Sequence, residues 1–138
     1  MLVATILGIL ASLILPQIQR IRERSQVAAA VGTVDAIGWD IIDYELENGT
    51  LPNSLAAVGR GGTLDPWGNP YQYLRIRGSS ASRGAMRKDR FLVPINSDFD
   101  LYSMGADEKS SSALTAKVSH DDIVRANDGG FVGLGSQY

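Results

Sequence analysis

Residues 1–24 read MLVATILGILASLILPQIQRIRER. The first fifteen carry no charge, Pro16 closes the apolar run, and Gln17 to Arg24 turn abruptly polar. A secretory leader would be followed by small residues suited to cleavage, such as an A-x-A pattern, and none stands directly after Leu15. A self-sufficient transmembrane anchor needs about 20 apolar residues, more than this run supplies. The spike therefore reads as part of the working protein, fused without a linker to a polar, amphipathic segment. A segment of this kind suits a subunit that passes from a membrane into an assembly.

Working outward, Val27, Val31, Val34, Ile37, Ile41 and Tyr44 recur at steps of three and four, the stripe of a helix with one buried face. Glu23, Asp35, Asp40, Asp43 and Glu47 fall largely off that stripe. Asn48-Gly49 offers the left-handed geometry of a C-terminal stop. One helix from the start to this point would run about 70 Å at 1.5 Å per residue, too long for one small domain to bury. The expected division is therefore residues 1–25 as a membrane or filament-core half and residues 26–138 as a globular head that includes the rest of the helix. Ala4, Gly8 and Ser12, four apart, form a small-residue seam on which helices can approach closely. Pro16 withholds a hydrogen bond from the Ser12 carbonyl and should kink or loosen the helix.

Composition bounds the rest. A chain of 138 residues with 20% charged residues and a net charge of -2 is one near-neutral domain, without the strongly basic balance that usually marks wholesale nucleic-acid binding. Cysteine is absent, so disulfides and thiolate metal sites are excluded. Beyond Thr50 the pattern changes. Leu55 to Val58 reads as a helical turn, and Asp65-Pro66-Trp67-Gly68-Asn69-Pro70 as a tight turn with Trp67 pinning it to the core. Strands are expected at Tyr71–Ile76, Arg90–Val93 and Phe99–Met104, with a polar, solvated link at Arg77–Asp89. From Gly105 on, periodicity is weak. A helix followed by a small antiparallel sheet makes an α+β fold.

Three segments together resemble a known family. The spike with Gly8 and Pro16, its polar switch and the long amphipathic helix resemble the N-terminal half of type IV pilin-like proteins. Asp65 to Tyr71, Asp100 to Asp107 and Asp121-Asp122-Ile123 narrow the resemblance to the major pseudopilin of type II secretion systems, over residues 1 to about 123. The resemblance implies a type IV pilin-like fold, and a basic leader cut by prepilin peptidase with methylation of the new N-terminus. Aligned on Gly8 and Pro16, this chain starts about six residues late, so the leader and an early glutamate are expected upstream of Met1. Glu108 to Val118 is longer than the family pattern and the glycine-rich tail beyond Asn127 is additional. Arg20, Arg22 and Arg24 alone would hold the C-terminal side in the cytoplasm, whereas the resemblance implies a single-pass inner-membrane protein with its head in the periplasm.

Catalysis finds little support. His120 is the sole histidine, and Ser119-His120-Asp121 are adjacent, whereas a triad is assembled from separate segments. Asp98-x-Asp100 lacks the glycine and glutamate of an EF-hand loop. Asp107, Asp121 and Asp122 can offer hard oxygens, and calcium accepts six to eight of these in irregular geometry. The resemblance implies a calcium site made by these three and the Met104 carbonyl. The competing reading makes Asp121 and Asp122 the first turn of a helix capped by Ser119. Arg83, Arg87, Lys88 and Arg90 read as a solvated loop, or as a basic patch meeting Asp40, Asp43, Glu45 and Glu47 of a neighbouring subunit.

The expected function is structural, not enzymatic. The subunit would be held in the membrane by its helix, then self-assemble into a helical pseudopilus with minor pseudopilins on an inner-membrane assembly platform. The alternative is a type IV pilus subunit for adhesion or motility, extracellular in that case. A third is a membrane-tethered binding module that never polymerises.

Overall fold

The computed structural model describes all residues, Met1 to Tyr138. Helix α1 runs unbroken from Leu2 to Asn48, through Pro16. Gly49 stops it at φ 75°, where a side chain would be strained, and its amide donates to the Glu45 carbonyl at 2.8 Å. Residues 1–25 are exposed throughout; burial starts at Gln26. Ala30, Val34, Ile37 and Ile41 are fully buried, with Val27, Val31 and Ile42 packed beside them. The stripe read from spacing is the face that packs.

Four strands form one antiparallel sheet in chain order: β1 (Gln72–Arg75), β2 (Phe99–Ser103), β3 (Ile123–Ala126) and β4 (Phe131–Leu134). Alternation sorts the side chains onto two faces. Phe99, Leu101 and Ile123 join Leu51, Leu55 and Tyr71 under α1, with Trp67, Val132 and Leu134 against them. Trp67 thus anchors its turn as expected. On the opposite face Val124 and Ala126 pack with Ile95 and Leu114, beside Tyr102, Phe131 and Tyr138. This second core is roofed by the loops before β2 and before β3, which Lys88 stitches together. Its amide donates to the Ser112 carbonyl and its carbonyl accepts from the Leu114 amide.

Three expectations are corrected. Arg90–Val93 is no strand: the Asp89 and Leu92 amides and carbonyls bond to each other around a reversal with Arg90 at φ 50°, and Pro94 comes next with no amide to extend a ladder. The tail beyond Asn127 belongs to the sheet, since Phe131–Leu134 pairs along the whole of β3. Its signal is Asp128-Gly129-Gly130, a turn ahead of a short apolar run. Arg77–Asp89 is not uniformly solvated, because Arg87 is 2% exposed.

Candidate metal centre

β3 begins at Ile123, immediately after Asp121 and Asp122. No helix opens there. Ser119 closes a single turn (Lys117–Ser119), and its hydroxyl donates to the Ser111 carbonyl and accepts the Ser111 amide, each at 2.9 Å. The helix-cap reading of the two aspartates is therefore excluded. The Ser119 hydroxyl is engaged by Ser111, while its chain neighbour His120 is exposed.

The loop after β2 turns at Gly105, φ 69°, and lies against the Asp121 backbone so tightly that a Cβ there would meet the Asp121 carbonyl oxygen at 2.3 Å. This contact brings Asp107 to the start of β3. One carboxylate oxygen each from Asp107, Asp121 and Asp122 gathers within 4.8 Å of the others. Met104, half-buried, sits between the end of β2 and Gly105. Asp121 Oδ2 accepts the Asp107 amide at 2.9 Å, and Asp107 Oδ1 the Lys109 amide at 2.9 Å, which fixes the loop's course. Burial raises the Asp121 carboxyl above the usual carboxylate range. The amide from Asp107 opposes this and the Asp107 charge adds to it.

Asp122 is fully buried and divided in role. Its Oδ2 accepts from Arg87 Nη2 and from the Ser110 hydroxyl, both at 2.5 Å. Its Oδ1 is buried with no hydrogen-bond partner, a condition that costs about 1–3 kcal/mol for a polar group and more for a charged one. Burial pushes its carboxyl up, against the pull of Ser110 and Arg87. An unpartnered carboxylate oxygen beside two further carboxylates fits a hard cation's requirement for oxygen donors.

Two arginines organise the interior through contacts that no local pattern announces. Arg87 reaches Asp122, the Ser110 hydroxyl (2.6 Å) and the Ser111 carbonyl, with its guanidinium 3.8 Å from the Tyr102 ring centroid. Its own amide donates to Asp100 at 2.7 Å. Arg125, in β3, clasps Asp98 with two bonds of 2.8 Å and lies 4.0 Å over Phe99. Asn96 ties the two together, donating to Asp100 and to the Arg125 carbonyl. Asp98 and Asp100 are thus structural acids outside the cation cluster. Asp65 does a related job, accepting the Trp67 and Asn69 amides and the Ser103 hydroxyl.

The inferred acidic and basic patches are partly consumed within the chain. Asp40 pairs with Arg60 at 2.6 Å and Glu45 with Arg77 at 2.7 Å, while Arg87 is internal. Asp43, Glu47, Arg83, Lys88 and Arg90 make no ion pair.

A curated relative from Pseudomonas aeruginosa, type II secretion system core protein G, is 32% identical over 134 residues, covering 82% of each chain. This chain belongs to the type II secretion system core protein G family. Proteins of the same name from Aeromonas hydrophila and Vibrio cholerae are 30% and 29% identical, over 81% and 78% of this chain. No protein-family model matches the chain, and no solved structure does. The matches to the core protein G family agree with the resemblance carried by the spike, the Asp65–Tyr71 turn and the two acidic segments. In this α+β fold, α1 holds an 18-residue window, none of it buried, that is long and apolar enough to cross a membrane by length and composition, so the apolar stretch extends beyond the run ending at Leu15.

Proposed function

We propose that this protein is the repeating subunit of a type II secretion pseudopilus, held in the inner membrane by residues 1–25 until it polymerises, with its head in the periplasm. The observation that carries the reading is the unburied first half of α1. Leu7, Ile14, Ile18 and Ile21 are each more than half exposed, on a helix whose other half is sealed into a folded head. An apolar surface of that length needs lipid or other copies of itself. A head-to-tail contact between identical subunits that does not close generates a helical filament, in which the spikes cover one another. Recognition by prepilin peptidase, N-terminal methylation, and contacts with the assembly platform and minor pseudopilins belong to the same proposal. Deleting the gene in a strain that secretes folded proteins should leave cargo stranded in the periplasm, and the plasmid-borne gene should restore release. Unchanged secretion in the deletion strain would contradict the reading.

The acidic cluster is proposed as a calcium site. Asp107, Asp121 and the free Oδ1 of Asp122 would supply carboxylate oxygens, and Met104 its carbonyl. Calcium, when bound, supplies positive charge that offsets the crowding of three carboxylates and ties the Gly105 loop to the start of β3. Arg87 and Ser110 hold the Asp122 carboxylate in a single orientation, leaving Oδ1 directed away from them. Excess calcium should raise the head's melting temperature and chelator should lower it. Identical melting with calcium and with chelator would remove the site.

A further inference from the structure

Two aromatic side chains lie open on opposite faces of the head. Phe91 stands at the tip of the Asp89–Leu92 reversal, 99% exposed, on the side of the sheet roofed by loops. Trp39 is 60% exposed on α1, across the sheet from it. The Phe91 tip is basic. Arg90 is its immediate neighbour, Lys88 lies three residues back, and Arg83 reaches it by donating to the Val93 carbonyl at 3.0 Å; Asp89 is the one acid there. The surroundings of Trp39 are acidic, with Asp35 one turn before it and Asp43 one turn after. Beside Trp39 lies a cleft of about 130 Å³ between α1 and the β3–β4 turn. Gly38, Ile42 and Gly129 line it together with Asp35 and Asp128, and the Asp128 carboxylate already accepts the Ser97 amide and hydroxyl. Arg125, also in its lining, is neutralised by Asp98. A cavity of about 150 Å³ accepts a benzene ring, so this cleft is close to the size of one phenyl side chain.

We propose that the Arg90–Phe91 tip of one copy inserts into the Trp39 cleft of a second copy, with Phe91 against Trp39 and Arg90 against Asp35. The occupant is assigned by three matching properties: ring-sized space, an exposed ring to fill it, and opposite charge at the rims. Because tip and cleft are on different faces, neither can be satisfied by a two-fold pair that reuses one patch. Each head would offer one of each to different neighbours, which is a heterologous contact. Aromatic anchors in desolvated pockets dominate interfaces of this kind, and the charges set register. This contact rests on the proposal that the chain polymerises, and it specifies how one head recognises the next.

The chain has no cysteine, which makes the test clean. Trp39→Cys, Phe91→Cys and the double variant would be expressed full-length with the assembly machinery and treated in whole cells with a short bifunctional thiol reagent. The double variant should give a ladder of dimers, trimers and higher species, whereas neither single variant cross-links. Loss of the ring could itself loosen the contact, so Asp35→Cys with Arg90→Cys provides a second pair, expected to give the same ladder. In parallel, Asp35→Arg and Arg90→Asp should each reduce filament yield at least tenfold, and the combined charge swap should recover most of it. Filaments of the unaltered chain, seen by electron microscopy, provide the reference. If these form while both cysteine pairs give no ladder, the contact is overturned and polymerisation stands. Dimers from Phe91→Cys alone would overturn it in favour of a two-fold contact. Absence of filaments from the unaltered chain would overturn both.

Discussion

Replacing Arg87 with methionine tests whether the head depends on the buried pair it makes with Asp122. The substitution keeps much of the side chain's length but removes the guanidinium. It takes away bonds to Asp122, Ser110 and Ser111 and the cation stacked on Tyr102. Asp122 would then be fully buried with Oδ1 already unpartnered and Oδ2 served only by Ser110. Removing one partner of a buried ion pair costs about 3–5 kcal/mol. That is a large share of the roughly 5–15 kcal/mol that holds a domain together. For a head of this size, 1 kcal/mol corresponds to about 4 °C in melting temperature, so the expected fall is roughly 12–20 °C. Thermal unfolding of residues 25–138, followed by circular dichroism with chelator present, measures it. The double variant Arg87→Met with Asp122→Leu should recover most of the loss, because an apolar pair of similar volume often replaces a buried ion pair at little cost. A fall of less than about 4 °C for the single variant would refute the reasoning, since it would mean that Asp122 never needed its partner.

The remaining expectations concern pH, the loop and the spike. Burial raises the Asp100 and Asp122 carboxyls in the folded head. The folded state then holds more protons than the unfolded one just above the usual carboxylate range, and the metal-free head should lose stability as pH rises from about 4 through the raised values. Urea midpoints at a series of pH values check this; a midpoint that rises steadily over the same range would contradict it, and Asp100→Asn should flatten the slope. Gly105→Ala places a Cβ 2.3 Å from the Asp121 carbonyl at φ 69°, so it should cost more than about 2 kcal/mol and weaken calcium binding measured by calorimetry. Glu108→Gln, a neighbouring exposed acid outside the cluster, should change neither. Removing residues 1–24 should yield a soluble monomer by sedimentation, because burial starts only at Gln26; persistent oligomers would show that the head associates without the spike.

Local signals make half of this fold legible. The apolar spike, the stripe on α1, the Gly49 stop, the Asp65–Pro70 turn and strands β1 and β2 are all written in short-range patterns. β3 is obscured because its third residue is Arg125, a charge inside a strand that is otherwise apolar. Its burial is permitted only by Asp98, 27 residues earlier in the chain. Arg87 looks solvated in the sequence for the same reason, since its partner Asp122 lies 35 residues away. Pairings at that separation leave no periodicity to find. The acidic cluster is legible as residue types, and the resemblance brings them together. What sequence cannot supply is the orphaned Oδ1 of Asp122, which exists only because Arg87 and Ser110 both engage the other oxygen.

In the proposed function, the exposed half of α1 exchanges lipid for other copies of itself. Electron microscopy of material sheared from cells making the full-length chain with a type II assembly platform and its ATPase tests this exchange. Thin helical filaments composed of this subunit and identified by antibody are expected, absent when the ATPase is inactive. Abundant, correctly inserted protein that never leaves the membrane, with no filament under any expression level, would contradict it.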